Sequence, residues 1–208
     1  DLCVLGEYAS PESINFMAKF GRGLICLSLT RIQSKKLGLS LMERRNEGRF
    51  GTAFTVSIES RKGVTTGISA ADRSMTIKTA INLNALKSDI TTPGHVFPLI
   101  AKDGGTLIRA GHTEAVIDIA KLANSNPSGV ICEIMNDNGE MARLPDLIKF
   151  SKKHNIKIGS ISDLISFRRK NETFIKRVSE TILESKFGGD WRIIVFKNII
   201  DNSEHMAL

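Results

Sequence analysis

Long hydrophobic runs are missing from this 208-residue chain. Nothing approaches the roughly 20 apolar residues needed to cross a bilayer, and no basic stretch precedes an apolar one at the N-terminus. Neither a membrane span nor a secretory signal is therefore expected, and the reading is of a cytoplasmic protein. Cysteine is scarce as well. The three thiols, Cys3, Cys26 and Cys132, are odd in number, far apart and free of CxxC spacing, which argues against a disulfide framework and a thiolate zinc site. Aromatic residues make up only 6 %, and no nucleic-acid-binding motif accompanies the 29 basic residues that outnumber 22 acidic ones. Apart from a modest cluster at Arg168, Arg169 and Lys170 the positive charge is dispersed. The net charge of +7 thus suits a small phosphorylated ligand better than nucleic acid. What is present, 41 % hydrophobic and 25 % charged residues, is ordinary for a globular protein: one domain of good size, or one domain and part of another.

Local signals alternate between helix and strand. Ser10-Pro11-Glu12-Ser13 reads as a cap followed by proline in the first turn of a helix whose Ile14, Met17 and Ala18 share a face, with Gly21 and Gly23 ending it. Leu24 to Leu29 is an apolar run of strand length. Thr52 to Glu59 alternates well enough for a second strand, and Arg61-Lys62-Gly63 turns the chain. Ser69 has capping-box spacing to Asp72 and opens a helix expected to reach about Leu86. A glycine-rich middle follows, with Pro93-Gly94-His95 and Gly104-Gly105. Val130 to Met135 is the next strand, Asn136 to Gly139 a turn, and Glu140 to Arg143 a shorter partner strand. Pro145 opens a helix to about His154, Ile156 to Ile158 is a short strand, and Ser162 caps a helix entering Arg168. Strands and helices interleave without a fixed repeat and include a hairpin. The expected fold class is α/β with α+β character, a mixed β-sheet covered by helices. Beyond Asn171 a charged helical stretch is expected to Ser185, then Gly188-Gly189, a strand at Trp191 to Phe196 and an apolar run from Ile199 to Leu208.

The run Arg109-Ala110-Gly111-His112-Thr113-Glu114-Ala115 puts a guanidinium, bare backbone and an imidazole where a helix is expected to begin. Lys102 to Gly105 is a turn, Thr106 to Ile108 a short β-favouring run, and Glu114 to Ala123 has helical length. Thr113 is the expected cap, and Glu114 suits the positive end of the helix dipole. Free N–H groups at a helix start attract anions, Gly111 would admit a ligand to the main chain, and Arg109 can hold two phosphate oxygens. From the residues alone two readings stand: an anion site beside an imidazole, or a capped structural helix with one solvated arginine. His95 by itself reads as a loop histidine, Glu133 as a solvated or paired carboxylate, and His154 as a surface histidine at a helix end.

Four runs together resemble the 3,4-dihydroxy-2-butanone 4-phosphate synthase family of riboflavin biosynthesis. They are Gly51-Thr52-Ala53-Phe54-Thr55, the run from Gly63 to Arg73, Pro93-Gly94-His95-Val96-Phe97-Pro98-Leu99, and Arg109 to Ala115. Their order and spacing match over nearly all of residues 1 to 170. The resemblance implies a lyase that converts D-ribulose 5-phosphate to 3,4-dihydroxy-2-butanone 4-phosphate and formate with a divalent metal, Mg2+ or Mn2+. It implies that Arg109, Ala110, Gly111, His112 and Thr113 bind substrate, that His112 ligates the metal, that Glu133 contacts substrate and is needed for catalysis, and that His95 is also essential. Asp1 corresponds to a substrate-contacting aspartate, and Cys26 to a cysteine often lining the pocket. A homodimer is implied too, because the family builds its sites at a two-fold interface. Enediol formation and a rearrangement that expels one carbon develop charge on oxygen. A divalent cation stabilises that charge, while Glu133 and His95 are the candidates for moving protons.

The family's other metal ligand is a glutamate in an acidic loop, Arg-Glu-Asn-Glu-Gly-Asp, of which Asp1 matches the last residue. A polypeptide beginning at Asp1 is accordingly expected to fold but to be nearly inactive. Arg44-Arg45-Asn46-Glu47-Gly48-Arg49 looks like that motif but lies where the family has a different loop, and is read as a decoy. Phe187-Gly188-Gly189-Asp190-Trp191-Arg192 and Asp201 to Leu208 resemble the opening of GTP cyclohydrolase II, often fused behind the synthase. The expected organisation is a synthase domain over residues 1–172, then a linker and the truncated start of a cyclohydrolase-like domain over 173–208. A catalytically silent module supporting a fused cyclohydrolase is the alternative function.

Overall fold

The apolar runs around Leu27 and Val130 become adjacent strands in a five-stranded sheet of the computed structural model, which describes residues 1–42 and 51–208. The decoy run at Arg44 to Arg49 lies outside the described residues. In chain order the strands are β1 (Leu2–Leu5), β2 (Cys26–Leu29), β3 (Ile58–Ser60), β4 (Ile90–Ile100) and β5 (Ser128–Cys132). Across the sheet they run β1-β5-β2-β4-β3, with β2 parallel to β4 and the other pairs antiparallel. The helices are α1 (Pro11–Phe16), α2 (Arg31–Lys36), α3 (Ala70–Ile81), α4 (His112–Leu122), α5 (Leu144–His154) and α6 (Ile161–Asn171). This is the mixed sheet with helices that the sequence predicts.

Strand side chains alternate between faces, and the two cores follow that alternation. Leu27, Leu29, Val96, Val130 and Cys132 join Ile14 of α1 and Ile77 and Ile81 of α3 in one core. Cys26, Leu99 and Ile131 point the other way and pack with Val116 and Ile117 of α4. Leu27, Leu29 and Val130 are fully enclosed, and each such side chain contributes roughly 1.5–3 kcal/mol. No helix among the described residues is long and apolar enough to cross a membrane.

Several local expectations are corrected. The segment from Thr52 to Glu59 is regular strand only from Ile58; before it, Phe54 and Thr55 make isolated bridges. α3 stops at Ile81 rather than Leu86, because the Gln33 side-chain amide donates to the carbonyls of Ala80 and Asn82 and takes over the helix end. Pro93-Gly94-His95 lies within β4, not in a loop between elements. Thr106 to Ile108 is not extended: Gly105–Leu107 forms a 3-10 turn, curled by Gly104 and Gly105 at positive φ and held by the Asp118 carboxylate. Glu140 to Arg143 contributes only a bridge from Met141 to Met135. Ile156 to Ile158 has no ladder partner among the described residues and forms no strand. Ser162 sits inside α6, which begins at Ile161. His154 is no simple surface residue, since its ring packs at a tilt against Phe20 and Phe150, 4.6 and 4.5 Å between centroids.

The chain divides into two compact units, Asp1–Ile161 and Ser162–Leu208. In the second, β6 (Ile175–Ser185), β7 (Gly189–Asn198) and β8 (Glu204–Ala207) form an antiparallel sheet in that order. The stretch expected as a charged helix to Ser185 is thus a strand. Its β-branched Ile175, Val178, Thr181 and Ile182 suit the long pairing with β7, where Arg192 meets Glu180, and a non-local ladder outweighs local helix preference.

Candidate functional site

Strand register lines up the candidate residues. Leu2 faces Cys132 across β1 and β5, Cys26 faces Ile131 across β2 and β5, and Cys26 faces Phe97 across β2 and β4. Continuing those registers past the strand ends places Asp1 and Leu24 on either side of Glu133, with His95 beyond Leu24. Asp1, Glu133 and His95 therefore share one end of the sheet. The backbones of Glu133 and His95 are about 10 Å apart, two strand spacings of roughly 4.8 Å. By strand alternation Asp1 and Glu133 belong to the face covered by α4. The Leu24 N–H donates to Glu133 Oε2 at 2.9 Å. A Cβ on Gly23 would lie 2.5 Å from that oxygen and 2.7 Å from the Glu133 nitrogen, so only glycine lets the carboxylate fold back onto this turn.

His112 opens α4 with its Nδ1 3.6 Å from Asp1 Oδ2, beyond hydrogen-bond length. Its side chain keeps 56 % of its surface. The protein packed around it nonetheless desolvates the imidazole and lowers its pKa; Glu133 opposes, and the Arg109 guanidinium acts the same way as burial. A neutral ring with a free lone pair results, the form that can ligate a cation. Beneath the cluster, Cys26 is 2 % exposed. Burial, and then the negative charge of Glu133 and the neighbouring Cys132, push its thiol up to about 12.

The start of α4 differs from expectation in three respects. Gly111, not Thr113, is the N-cap, and Thr113 is buried within the first turn. Arg109 is not a solvated arm: one terminal nitrogen donates to Glu114 Oε2 at 2.6 Å and the other to Thr52 Oγ1 at 2.8 Å. The missing Cβ of Gly111 makes room for that pair, since a Cβ there would overlap the Arg109 guanidinium and approach Glu114 Oε2 to 2.7 Å. Ala110 is exposed at the turn between them.

His95 makes its contacts away from this cluster, on a carboxylate that sequence reasoning overlooked. Glu59 Oε2 accepts from the His95 backbone N–H at 3.2 Å and lies 2.7 Å from His95 Nδ1. Thr52 and Glu59 lie in the stretch whose alternation predicts a strand, and Glu114 suits the helix dipole; neither pattern announces these partners. The available signal was the proximity of glycines in the motifs, Gly67 and Gly111, each of which sits where a Cβ would overlap a charged side chain.

Among the described residues no group of three or more ligating side chains gathers as a metal site. His112 and Asp1 together offer one imidazole and one carboxylate. That donor pair fits Mg2+ or Mn2+ only as part of a shell completed by other oxygens, as is usual for an ion that keeps several waters. A separate cavity of about 350 Å³, lined by Lys19, Phe20, Lys149, Phe150, Lys153 and His154 among others, includes none of the candidate residues.

An acid, an imidazole and a helix N-terminus meeting at the end of a mixed sheet suit a small, oxygen-rich anion. The chain belongs to the 3,4-dihydroxy-2-butanone 4-phosphate synthase family, whose sequence model matches residues 1–167. It is 51 % identical over 208 residues to a 3,4-dihydroxy-2-butanone 4-phosphate synthase of Pseudomonas aeruginosa, covering all of this chain and 57 % of that relative. It is also 51 % identical over 210 residues to riboflavin biosynthesis protein RibBA of Aquifex aeolicus, covering 52 % of that protein. The chain thus spans about half the length of these relatives. Among solved structures it resembles RibBX, a two-domain 3,4-dihydroxy-2-butanone 4-phosphate synthase from A. baumannii, with TM-score 0.88 and 42 % identity over 99 % of this chain and 60 % of that one. A 3,4-dihydroxy-2-butanone 4-phosphate synthase in complex with two magnesium ions matches with TM-score 0.79 and 35 % identity, over 82 % of this chain and 84 % of that one.

Proposed function

We propose that the protein is a lyase of riboflavin biosynthesis that converts D-ribulose 5-phosphate to 3,4-dihydroxy-2-butanone 4-phosphate and formate. The observation that carries this reading is the convergence of Asp1, Glu133 and His112 at one end of the sheet in a chain of this family. The two products together contain the atoms of the substrate. The work is therefore proton traffic and carbon rearrangement, with no redox partner. Substrate phosphate suits the N–H groups of the first turn of α4, around His112 and Thr113, with the Arg109 cation behind them. Glu133, held at one oxygen by Leu24, keeps the other for moving protons on the substrate carbons and hydroxyls. Asp1 holds a substrate hydroxyl, and His95 carries a second proton. Mg2+ or Mn2+, held by His112 with Asp1 beside it, would stabilise negative charge developing on substrate oxygens; the magnesium-bound relative supports a divalent ion.

We also propose that two copies assemble in the cytoplasm and share their sites, His95 of one copy serving Glu133 of the other. The experiment is formate release from ribulose 5-phosphate with Mg2+ or Mn2+ against a chelator control. Metal-dependent formate is expected from protein that carries the family's acidic loop ahead of Asp1, and almost none from a polypeptide beginning at Asp1; none from the former with either metal would leave the catalytically silent module as the better reading. Mixing His95→Ala with Glu133→Ala protein should restore about a quarter of wild-type activity, because half the dimers formed by random exchange carry one intact site. Failure to restore any would rule out sharing.

A further inference from the structure

Glu59 and His95 meet at an irregularity in the sheet. Ile58 pairs with Val96 but the next residue, Glu59, pairs with Thr91, so residues 92–95 are extruded from the ladder between β3 and β4. Bulges of this kind re-aim a side chain. A Cβ on Gly94 would overlap the Ile58 carbonyl, so glycine is what lets the extruded segment lie flat on β3; the Gly94 N–H donates to Ser57 Oγ at 3.1 Å. His95 follows immediately, with its backbone and its ring both turned onto Glu59.

The carboxylate is held from three sides. Thr76 of α3, fully buried, accepts the Ser60 N–H at 3.0 Å, so its own hydrogen is free to go to Glu59 Oε1 at 3.1 Å. Gly67, at φ +88, packs where a Cβ would overlap Glu59 Oε2. Asp72 fixes that glycine's loop by accepting from the N–H groups of Thr65 and Gly67 and from the Thr65 hydroxyl. The run from Gly63 to Arg73 and the run from Pro93 to Leu99 are therefore two halves of one support, and Glu59 is where they meet. The Glu59 side chain is 13 % exposed while that of His95 is 44 % exposed. The largely enclosed acid sits on Nδ1, and nearly half of the His95 side-chain surface is open.

We propose that Glu59 is a positioning residue for His95: its largely enclosed carboxylate fixes the ring proton on Nδ1 and presents Nε2, lone pair outward, as the atom that accepts a proton from substrate. An ionised carboxylate has no hydrogen to give, so the shared hydrogen belongs to Nδ1 and the other nitrogen is left basic. When Nε2 takes a proton, the electron pair of the broken bond stays on the substrate, the imidazolium is stabilised by Glu59, and the proton is later returned. The catalytic half of this inference rests on the proposed lyase reaction; the tautomer does not.

The test uses Glu59→Gln, which keeps shape and an acceptor oxygen but removes the charge, alone and combined with His95→Ala. Glu59→Gln is expected to lower kcat for formate release about 10–100-fold with KM changed by less than about threefold, and to have no further effect in the His95→Ala background. In the wild-type protein, NMR of isotope-labelled histidine nitrogens should show His95 protonated at Nδ1, and Glu59→Leu should mix the two tautomers. Three results would overturn the proposal: kcat within twofold of wild type for Glu59→Gln, an equal penalty with and without His95, or a wild-type proton on Nε2. If His95→Ala leaves kcat unchanged, the catalytic half falls, and the nitrogen signals still decide the tautomer.

Discussion

Carboxylates near the start of α4 are used in opposite ways. Glu114 and Asp118 are 1 % and 2 % exposed and fully engaged. Glu114 accepts from Arg109 at 2.6 Å and from the Lys102 N–H at 3.0 Å, and Asp118 accepts from both the N–H and hydroxyl of Thr106 at 2.7 Å. Between them they fasten the turn from Lys102 to Gly111 onto the helix. Glu133 and Asp1 lie at the opening instead. One Glu133 oxygen is held by Leu24, and the other takes no hydrogen bond among the described residues. Buried polar groups with a full set of partners hold structure together, whereas one left partly unmatched at an opening has capacity for a ligand.

The comparison breaks most sharply at Glu133. Glu133→Gln should lower kcat by about 10³-fold, within the range for losing a general acid–base group, while thermal stability stays near wild type. Glu114→Ala should do the reverse at the level of folding. It takes the carboxylate from the Arg109 cation, which keeps Thr52, and the acceptor from the Lys102 N–H, at a cost of about 3–5 kcal/mol, or roughly 6–20 °C in Tm for a chain of this size. A Glu133 variant that melts early while the Glu114 variant does not would collapse the distinction. Asp118→Asn should cost less, about 1–3 kcal/mol, because both Thr106 donors go to the one oxygen Oδ2, and an amide oxygen placed there still accepts them without the charge. Urea midpoints for the two helix variants would rank them.

That division was only partly legible in the sequence, and the reasons are physical. Helix starts at Ser10 and Ser69 were readable because a cap is a local event: each hydroxyl accepts from the N–H three residues on. His112 and Glu133 stand out through their motif context; strand register sets Glu133 beside Asp1, and the start of α4 brings His112 to Asp1. The path of β4 through Pro93-Gly94-His95 was not readable, because turn-forming residues there serve a bulge stacked on Ile58, a contact 36 residues distant for both Gly94 and its local chemistry at Glu59 and His95. Glu59, Glu114 and Asp118 looked like ordinary charged positions. Their partners are set by tertiary packing, and spacing along one strand or helix carries no sign of it. The strand from Ile175 to Ser185 was misjudged for the same reason, since its ladder to β7 is a pairing that local composition does not announce.

Cys26 gives the smallest effect and the finest test of how closed this region is. Its thiol lies on the α4 face of β2, with burial the main cause of a pKa near 12 and the Glu133 charge the next. In the folded protein at pH 8 a thiol reagent should label the exposed Cys3 and spare Cys26. Glu133→Gln should leave Cys26 protected, because burial remains when the charge is gone. Linkage gives a second readout. The folded state holds the Cys26 proton from the ordinary value of 9.0 up to about 12, so its contribution is complete below pH 9 and is lost as pH rises through that window. Between pH 8 and pH 10 the wild type should therefore lose about 1 kcal/mol more stability than Cys26→Ala. Equal losses in denaturant titrations, or rapid labelling of Cys26 at pH 8, would show that solvent reaches the floor of the site and that Glu133 stands over an open space rather than a packed one.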